Sequence, residues 1–328
     1  MKILSIDGGG IKGLFSAAFL AGLEERFNIQ VGDCFDLIAG TSTGGILALA
    51  LAARIPAEQV VDFYKEWGPK IFTPKFSGFR FIKRARFSKY GDENLKSAVQ
   101  RVFEKRQMKD IYAAKNPVAL CIASINAITG APWVFKTPHN TKLSRDNEYY
   151  LWEVAMATSA APIYFPLARI NMPGSSASNL FVDGGLWANN PSEVALTEAL
   201  TYLKAKIEDI YLYSLGNVRS NTTFNSDTII QKGILLWREK VVNLTLETQA
   251  LAIHNQVRLL FESFGLSSHY TRIEHEITSD SHQRLKKLDC ATEANLNDLE
   301  VYGRHRAHLE GVKSETIRIF KTGDLRNG

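Results

Sequence analysis

Two short runs of this sequence place groups capable of acyl-transfer chemistry at bends flanked by glycine. Gly40-Thr41-Ser42-Thr43-Gly44 sets a hydroxyl between an apolar run, Phe35 to Ala39, and a helical apolar run, Ile46 to Ala53. A G-x-S-x-G run between a strand and a helix is the setting of a nucleophile elbow, where the glycines clear space around a strained serine. The positive end of the following helix favours an anionic transition state. The plain alternative is an ordinary turn. A serine hydroxyl is a weak nucleophile and needs a neighbouring base. Phe181-Val182-Asp183-Gly184-Gly185 offers one, a carboxylate closing an apolar run. An unshifted aspartate, with a pKa near 3.9, is a poor base at neutral pH. Partial burial raises it toward a useful range. Asp-Gly is also a common turn pair, and taken alone Asp183 favours that reading.

Histidine is the usual base in a triad. The chain has seven, at 139, 254, 269, 275, 282, 305 and 308, and none sits in a glycine-flanked loop. His269, His275, His305 and His308 fall in polar stretches and read as solvent-facing. A Ser-His-Asp hydrolase of soluble esters stays open as an alternative.

A third run, Asp7-Gly8-Gly9-Gly10-Ile11-Lys12-Gly13, follows a short β-rich segment and precedes a helical one. Adjacent glycines turn backbone N–H groups toward one point, and a helix N-terminus adds partial positive charge. Two ligands suit that cradle. Gly8, Gly10 and Gly13 satisfy the dinucleotide fingerprint G-x-G-x-x-G, but the second strand ends in Gly40-Thr41-Ser42 where the fingerprint wants an acid. The other is a developing oxyanion held by the N–H groups of Gly8, Gly9 and Gly10.

Elements must bring these runs together. Strands fit Lys2 to Ile6, Phe35 to Ala39, Val118 to Ser124, Trp133 to Lys136, Leu180 to Val182 and Ile210 to Leu215. Helices fit Leu14 to Phe27, Ile46 to Ala53, Tyr150 to Ser159, Glu193 to Leu203 and about 233–264. Their alternation predicts an α/β fold of three layers, α/β/α, with a mostly parallel central sheet. Ligands of such sheets bind at the carboxyl ends of the strands, where both glycine-rich bends lie. No linker interrupts the chain, so residues 1–328 read as one domain, with a core of about 1–216 and a helical extension over about 217–328.

The composition is that of an ordinary globular protein, 45% apolar and 22% charged, with a net charge of +5 from 39 basic and 34 acidic residues. The start, Met-Lys-Ile-Leu-Ser-Ile-Asp, lacks the apolar core of a signal peptide. The longest apolar run, Ile46 to Ala53, falls far short of the roughly 20 residues that cross a bilayer. A cytoplasmic protein is expected. Three cysteines without a C-x-x-C pair argue against a disulfide scaffold or a zinc site, and no cofactor is expected.

The three runs, in this order, resemble the patatin-like phospholipase family, whose pattern is D-G-G-G-x-R/K-G, then G-x-S-x-G, then D-G-G/A. Thr158-Ser159-Ala160-Ala161-Pro162 and Trp187-Ala188-Asn189-Asn190-Pro191 resemble further family segments. The resemblance covers about residues 1–216. It implies a catalytic dyad of Ser42 and Asp183, an oxyanion hole at Gly8, Gly9 and Gly10, and lipid acyl hydrolysis at the inner membrane surface. Lys12 stands where many members carry arginine, and a cation there supports the oxyanion loop without arginine's planar fork. The stretch holding Trp237, Glu247, Gln249 and Gln256 is similar to bacterial patatin-like effectors of antiphage defence. That similarity implies a cyclic dinucleotide activator and a membrane phospholipid substrate as partners, with self-association allowed and no role for DNA or RNA.

Residues 75–90 hold six basic side chains, among them Arg80, Lys83, Arg84 and Arg86, five aromatics and no acid. Such a segment suits an anionic leaflet, with aromatics at the headgroup level, or the phosphates and bases of a nucleotide. The plain reading is a solvated loop anchored by its aromatics.

Overall fold

Along the central strands, neighbouring residues are apolar on both faces, which only a sheet covered on both sides accommodates. β1 (Lys2–Ile6), β2 (Leu37–Thr41) and β3 (Ala119–Asn126) are buried almost throughout. Alternate residues serve different layers. Leu4, Ile6, Ile38, Leu120 and Ile122 join one hydrophobic cluster, while Ile3, Leu37, Ala39, Ala119 and Cys121 join another. That division is the period of two expected of strands. The structure, a computed structural model, describes residues 1–74, 88–220, 234–277 and 284–321.

The remaining strands are β4 (Ala131–Lys136), β5 (Ala168–Asn171), β6 (Ser178–Asp183), β7 (Tyr211–Ser220) and β8 (Tyr270–Ile277). They complete one sheet in the order β5-β6-β3-β2-β1-β7-β8, with β4 also pairing β3. The five strands β3, β2, β1, β7 and β8 run parallel, and β4, β5 and β6 add antiparallel pairings at one end. The expected α/β architecture with a mostly parallel sheet is the one observed.

The helices are α1 (Gly13–Phe27), α2 (Thr43–Ala52), α3 (Ala57–Ile71), α4 (Glu93–Phe103), α5 (Met108–Tyr112) and α6 (Leu151–Thr158), followed by α7 (Gly185–Ala188), α8 (Ser192–Thr201), α9 (Ile234–Ser263), α10 (Glu293–Glu310) and α11 (Ser314–Phe320). One face of the sheet is covered by α1 to α4, α6 and α10, the other by α8 and the C-terminal half of α9. Gly22 of α1 lies against Ala307 of α10, and Ala18 against Gly303, so those two helices approach closely. The C-terminal third is therefore more than helical. It supplies β8, which pairs β7 in parallel, and α10, which covers α1. No helix among the described residues is long and apolar enough to cross a membrane.

Candidate active site

Ser42 sits between β2 and α2 with φ 55° and ψ −127°, a left-handed conformation that L-residues rarely adopt. The bend closes because Gly44 lies against the end of β1. A Cβ there would come within 2.4 Å of the carbonyl oxygens of Ile6 and Asp7. The Ser42 N–H donates to Thr158 Oγ1 at 2.8 Å, and that hydroxyl donates to the Ala123 carbonyl at 2.6 Å. Thr158, the last residue of α6, thus ties the strained bend to β3.

Asp183 is the last residue of β6, which pairs antiparallel with β3. The two predicted side chains meet: Ser42 Oγ donates to Asp183 Oδ2 at 2.6 Å. The other carboxylate oxygen accepts the Gly185 N–H at 2.7 Å. Both side chains are buried, Asp183 at 4% exposure and Ser42 at 8%. Burial pushes the Asp183 carboxyl up to about 6, against the lowering effect of its bonds to Ser42 and Gly185. Six of the seven histidines are described, and none of them lines this cavity. His139 is bonded to Thr137 and Glu198. His269 and His275, which read as solvent-facing, are instead half-buried, stacked on Tyr211 and Tyr302. Aromatic neighbours distant in sequence hold them there.

The glycine loop divides its three amides. The Gly8 N–H donates to the Asn189 carbonyl at 3.0 Å and is already engaged. The expectation that Gly8 faces an oxyanion does not fit that bond. The Gly9 N–H meets Thr43 Oγ1 at 3.2 Å, a long contact, and the Gly10 N–H has no acceptor among the described residues. Gly9 and Gly10, not Gly8, line the cavity in front of Ser42 and Asp183. Gly10 holds φ 57°, where a Cβ would also strike the Leu288 carbonyl.

That cavity spans about 690 Å³ and is walled by Phe63, Ile71, Phe72, Phe165, Leu246 and Leu288. A nucleophile, a base with raised pKa and a free backbone N–H around an apolar chamber are the parts needed to cleave an acyl ester. The family model described as patatin-like phospholipase matches residues 4–196.

The chain belongs to the patatin-like phospholipase family.

This patatin-like phospholipase, a lipid hydrolase by family, is similar to proteins named cGAMP-activated phospholipase in three bacteria. The Pseudomonas aeruginosa protein is 31% identical over 93% of this chain and 87% of its own. The Vibrio cholerae protein is 32% identical over 98% and 94%, and the Escherichia coli protein 28% identical over 98% and 92%.

Other residues around the phospholipase site carried weaker signals. Lys12 is buried and lines a second cavity behind the glycine loop, where its Nζ lies 3.9 Å from Glu247 Oε1. Burial lowers its pKa, with Glu247 and Asp7 opposing. Asp7 is held by both terminal nitrogens of Arg272, at 2.9 and 2.6 Å, an ion pair buried beneath the loop. Arg272 had no signature in the sequence, since it lies on a charged strand far from any motif. Asn189 and Asn190, noted only as part of a resembling segment, bind α9. Asn189 Nδ2 donates to the Leu246 carbonyl, and Gln249 Oε1 accepts the Asn190 N–H. Arg80, Lys83, Arg84 and Arg86 lie outside the described residues. The end of their segment is anchored: Lys89 and Tyr90 both bind Asp289, and Tyr90 packs on Phe72 and Phe165.

Proposed function

We propose that this protein hydrolyses fatty acyl esters of membrane phospholipids, in the manner of a phospholipase A, through Ser42 and Asp183. The single observation that carries the reading is the 2.6 Å bond between those side chains inside an apolar chamber. Asp183 Oδ2 accepts the Ser42 proton as Oγ attacks the ester carbonyl. The negative oxygen that forms is held by the Gly10 N–H and by the Gly9 N–H, which exchanges its long contact with Thr43 for it. Gly8 keeps its bond to Asn189 and holds the loop in shape. Collapse of this intermediate expels the lysophospholipid alkoxide, which takes the proton from Asp183. Asp183 then accepts a proton from water, whose oxygen attacks the acyl-serine. Fatty acid leaves, and Ser42 regains its proton. Lys12 supports the glycine loop from behind.

A cyclic dinucleotide is proposed as the activator, carried over from the printed names of the three bacterial relatives. The proposed place of action is the inner membrane surface, reached from the cytoplasm. The test is fatty-acid release from mixed phospholipid vesicles, with and without a panel of cyclic dinucleotides. Ser42→Ala and Asp183→Asn are each expected to lower release by roughly 10⁴-fold or more. Retention of release by either variant rules out the dyad. A wild-type rate indifferent to every cyclic dinucleotide rules out the activator.

A further inference from the structure

Lys12 is buried to 4% exposure, yet its Nζ makes no hydrogen bond to any described residue. Glu247 Oε1 stands 3.9 Å away, beyond hydrogen-bond reach. A buried ammonium is costly unless it is paired and bonded, so its donors call for an acceptor from outside the chain. The side chain lines a cleft between α9 and the carboxyl ends of β1 and β7. Ligands of parallel sheets sit at such ends. The cleft is mixed in character. Arg219 and Glu274 pair at 3.2 Å on one side, and Val218, Ala250 and Leu251 add an apolar strip. A bare anion would meet Glu247 and Glu274 there as well as Lys12. A nucleotide answers all three features. Its phosphate accepts from Lys12, the amino group of a base donates to a carboxylate, and the face of the base rests on apolar side chains.

We propose that this cleft takes one nucleotide unit of the cyclic dinucleotide activator, with its phosphodiester against Lys12. The inference rests on the activator reading above and gives it a place. It also supplies a route to the reaction. The Lys12 N–H donates to the Gly9 carbonyl at 3.2 Å, so the lysine belongs to the same bend that carries the Gly9 and Gly10 amides. A phosphate at Nζ favours the arrangement of that bend in which the lysine reaches it. Asn189, Leu246 and Leu288 line both the cleft and the Ser42 chamber, so a ligand in the cleft bears on residues of the chamber.

The experiment is equilibrium dialysis of labelled cyclic GMP–AMP, cyclic di-GMP and cyclic di-AMP against the full chain, beside fatty-acid release from phospholipid vesicles. Lys12→Met keeps most of the side chain and removes its charge. Leu251→Glu, at an exposed position on the apolar strip, sets a carboxylate against the phosphate and leaves the core alone. Each is expected to weaken binding about tenfold or more, the range of a hydrogen bond to a charged group. The concentration for half-maximal release is expected to rise by the same factor. Inorganic phosphate, which has no base, is expected not to displace the dinucleotide at equal concentration, and displacement overturns the nucleotide assignment. Binding by Leu251→Glu within about twofold of wild type overturns the site and leaves the activator reading standing. If that variant instead shows a raised KM for vesicle phospholipid with dinucleotide binding intact, the cleft belongs to the substrate headgroup and the proposal falls. A wild type that binds none of the three dinucleotides overturns both.

Discussion

Asp183 faces two demands that pull its chemistry apart. As the proposed base it must be ionised, yet its surroundings disfavour the charge. With its carboxyl pushed up to about 6 by burial, the fraction ready to accept the Ser42 proton rises through that pH. We expect kcat/KM to climb about tenfold per pH unit below 6 and to level off above it. A rate flat from pH 5 to 8 would contradict a carboxylate base of this kind. The same shift acts on stability. The folded-state pKa lies above the unfolded value of about 3.9, so between those values the folded state binds more protons. The contribution is therefore whole below pH 4 and lost as pH rises through 6. Asp183→Asn escapes the loss. It should exceed wild type in stability by up to about 3 kcal/mol at pH 8, narrowing toward pH 5, when read from urea midpoints. A variant less stable than wild type at pH 8 would count against the shift. At this scale the site was largely legible, because strained bends and their glycines are written within five or six residues. The division of labour among Gly8, Gly9 and Gly10 was not, since it depends on the Asn189 carbonyl and the Thr43 hydroxyl, brought in by other elements.

Among elements, the junction of β1, β2 and α2 is the least forgiving. Gly44→Ala would set a methyl against two backbone carbonyls, which cannot turn aside as a side chain could. Overpacking of that sort costs about 1–3 kcal/mol or more, and the variant should lose that much in urea unfolding along with its activity. Wild-type stability in Gly44→Ala would mean the bend is looser than drawn. The strands and helices bearing the motifs were readable because they are apolar on the expected period. α3 was hidden by Gly68-Pro69, a pair that signals a break although Pro69 lies inside the helix. α4 did carry a usable signal, with buried residues at 95, 98, 99 and 103 at helical spacing. β8 carried none. It is an edge strand whose Arg272 and Glu274 are occupied by ion pairs, so its place in the sheet depends on partners far away in sequence.

For the whole molecule, the last third is structural as much as peripheral. We infer that residues 1–328 unfold as one unit, because β8 extends the same sheet and α10 covers α1. Arg272→Met would strand the Asp7 charge in the interior and should cost about 3–5 kcal/mol within a single urea transition. Two separate transitions, or a cost below 1 kcal/mol, would show that the ends of the chain fold independently. α9 joins the same scheme from another side, since it grips Asn189 and Asn190 a few residues after Asp183.

The buried ion pair between Asp7 and Arg272 spans 265 positions of sequence. A ribosome releases Ser42 and Asp183 well before it releases Arg272. A partly synthesised chain therefore carries both proposed reacting groups while the first glycine bend still lacks its clamp. For a lipid hydrolase, the order of translation delays the finished glycine bend until the last third of the chain has emerged.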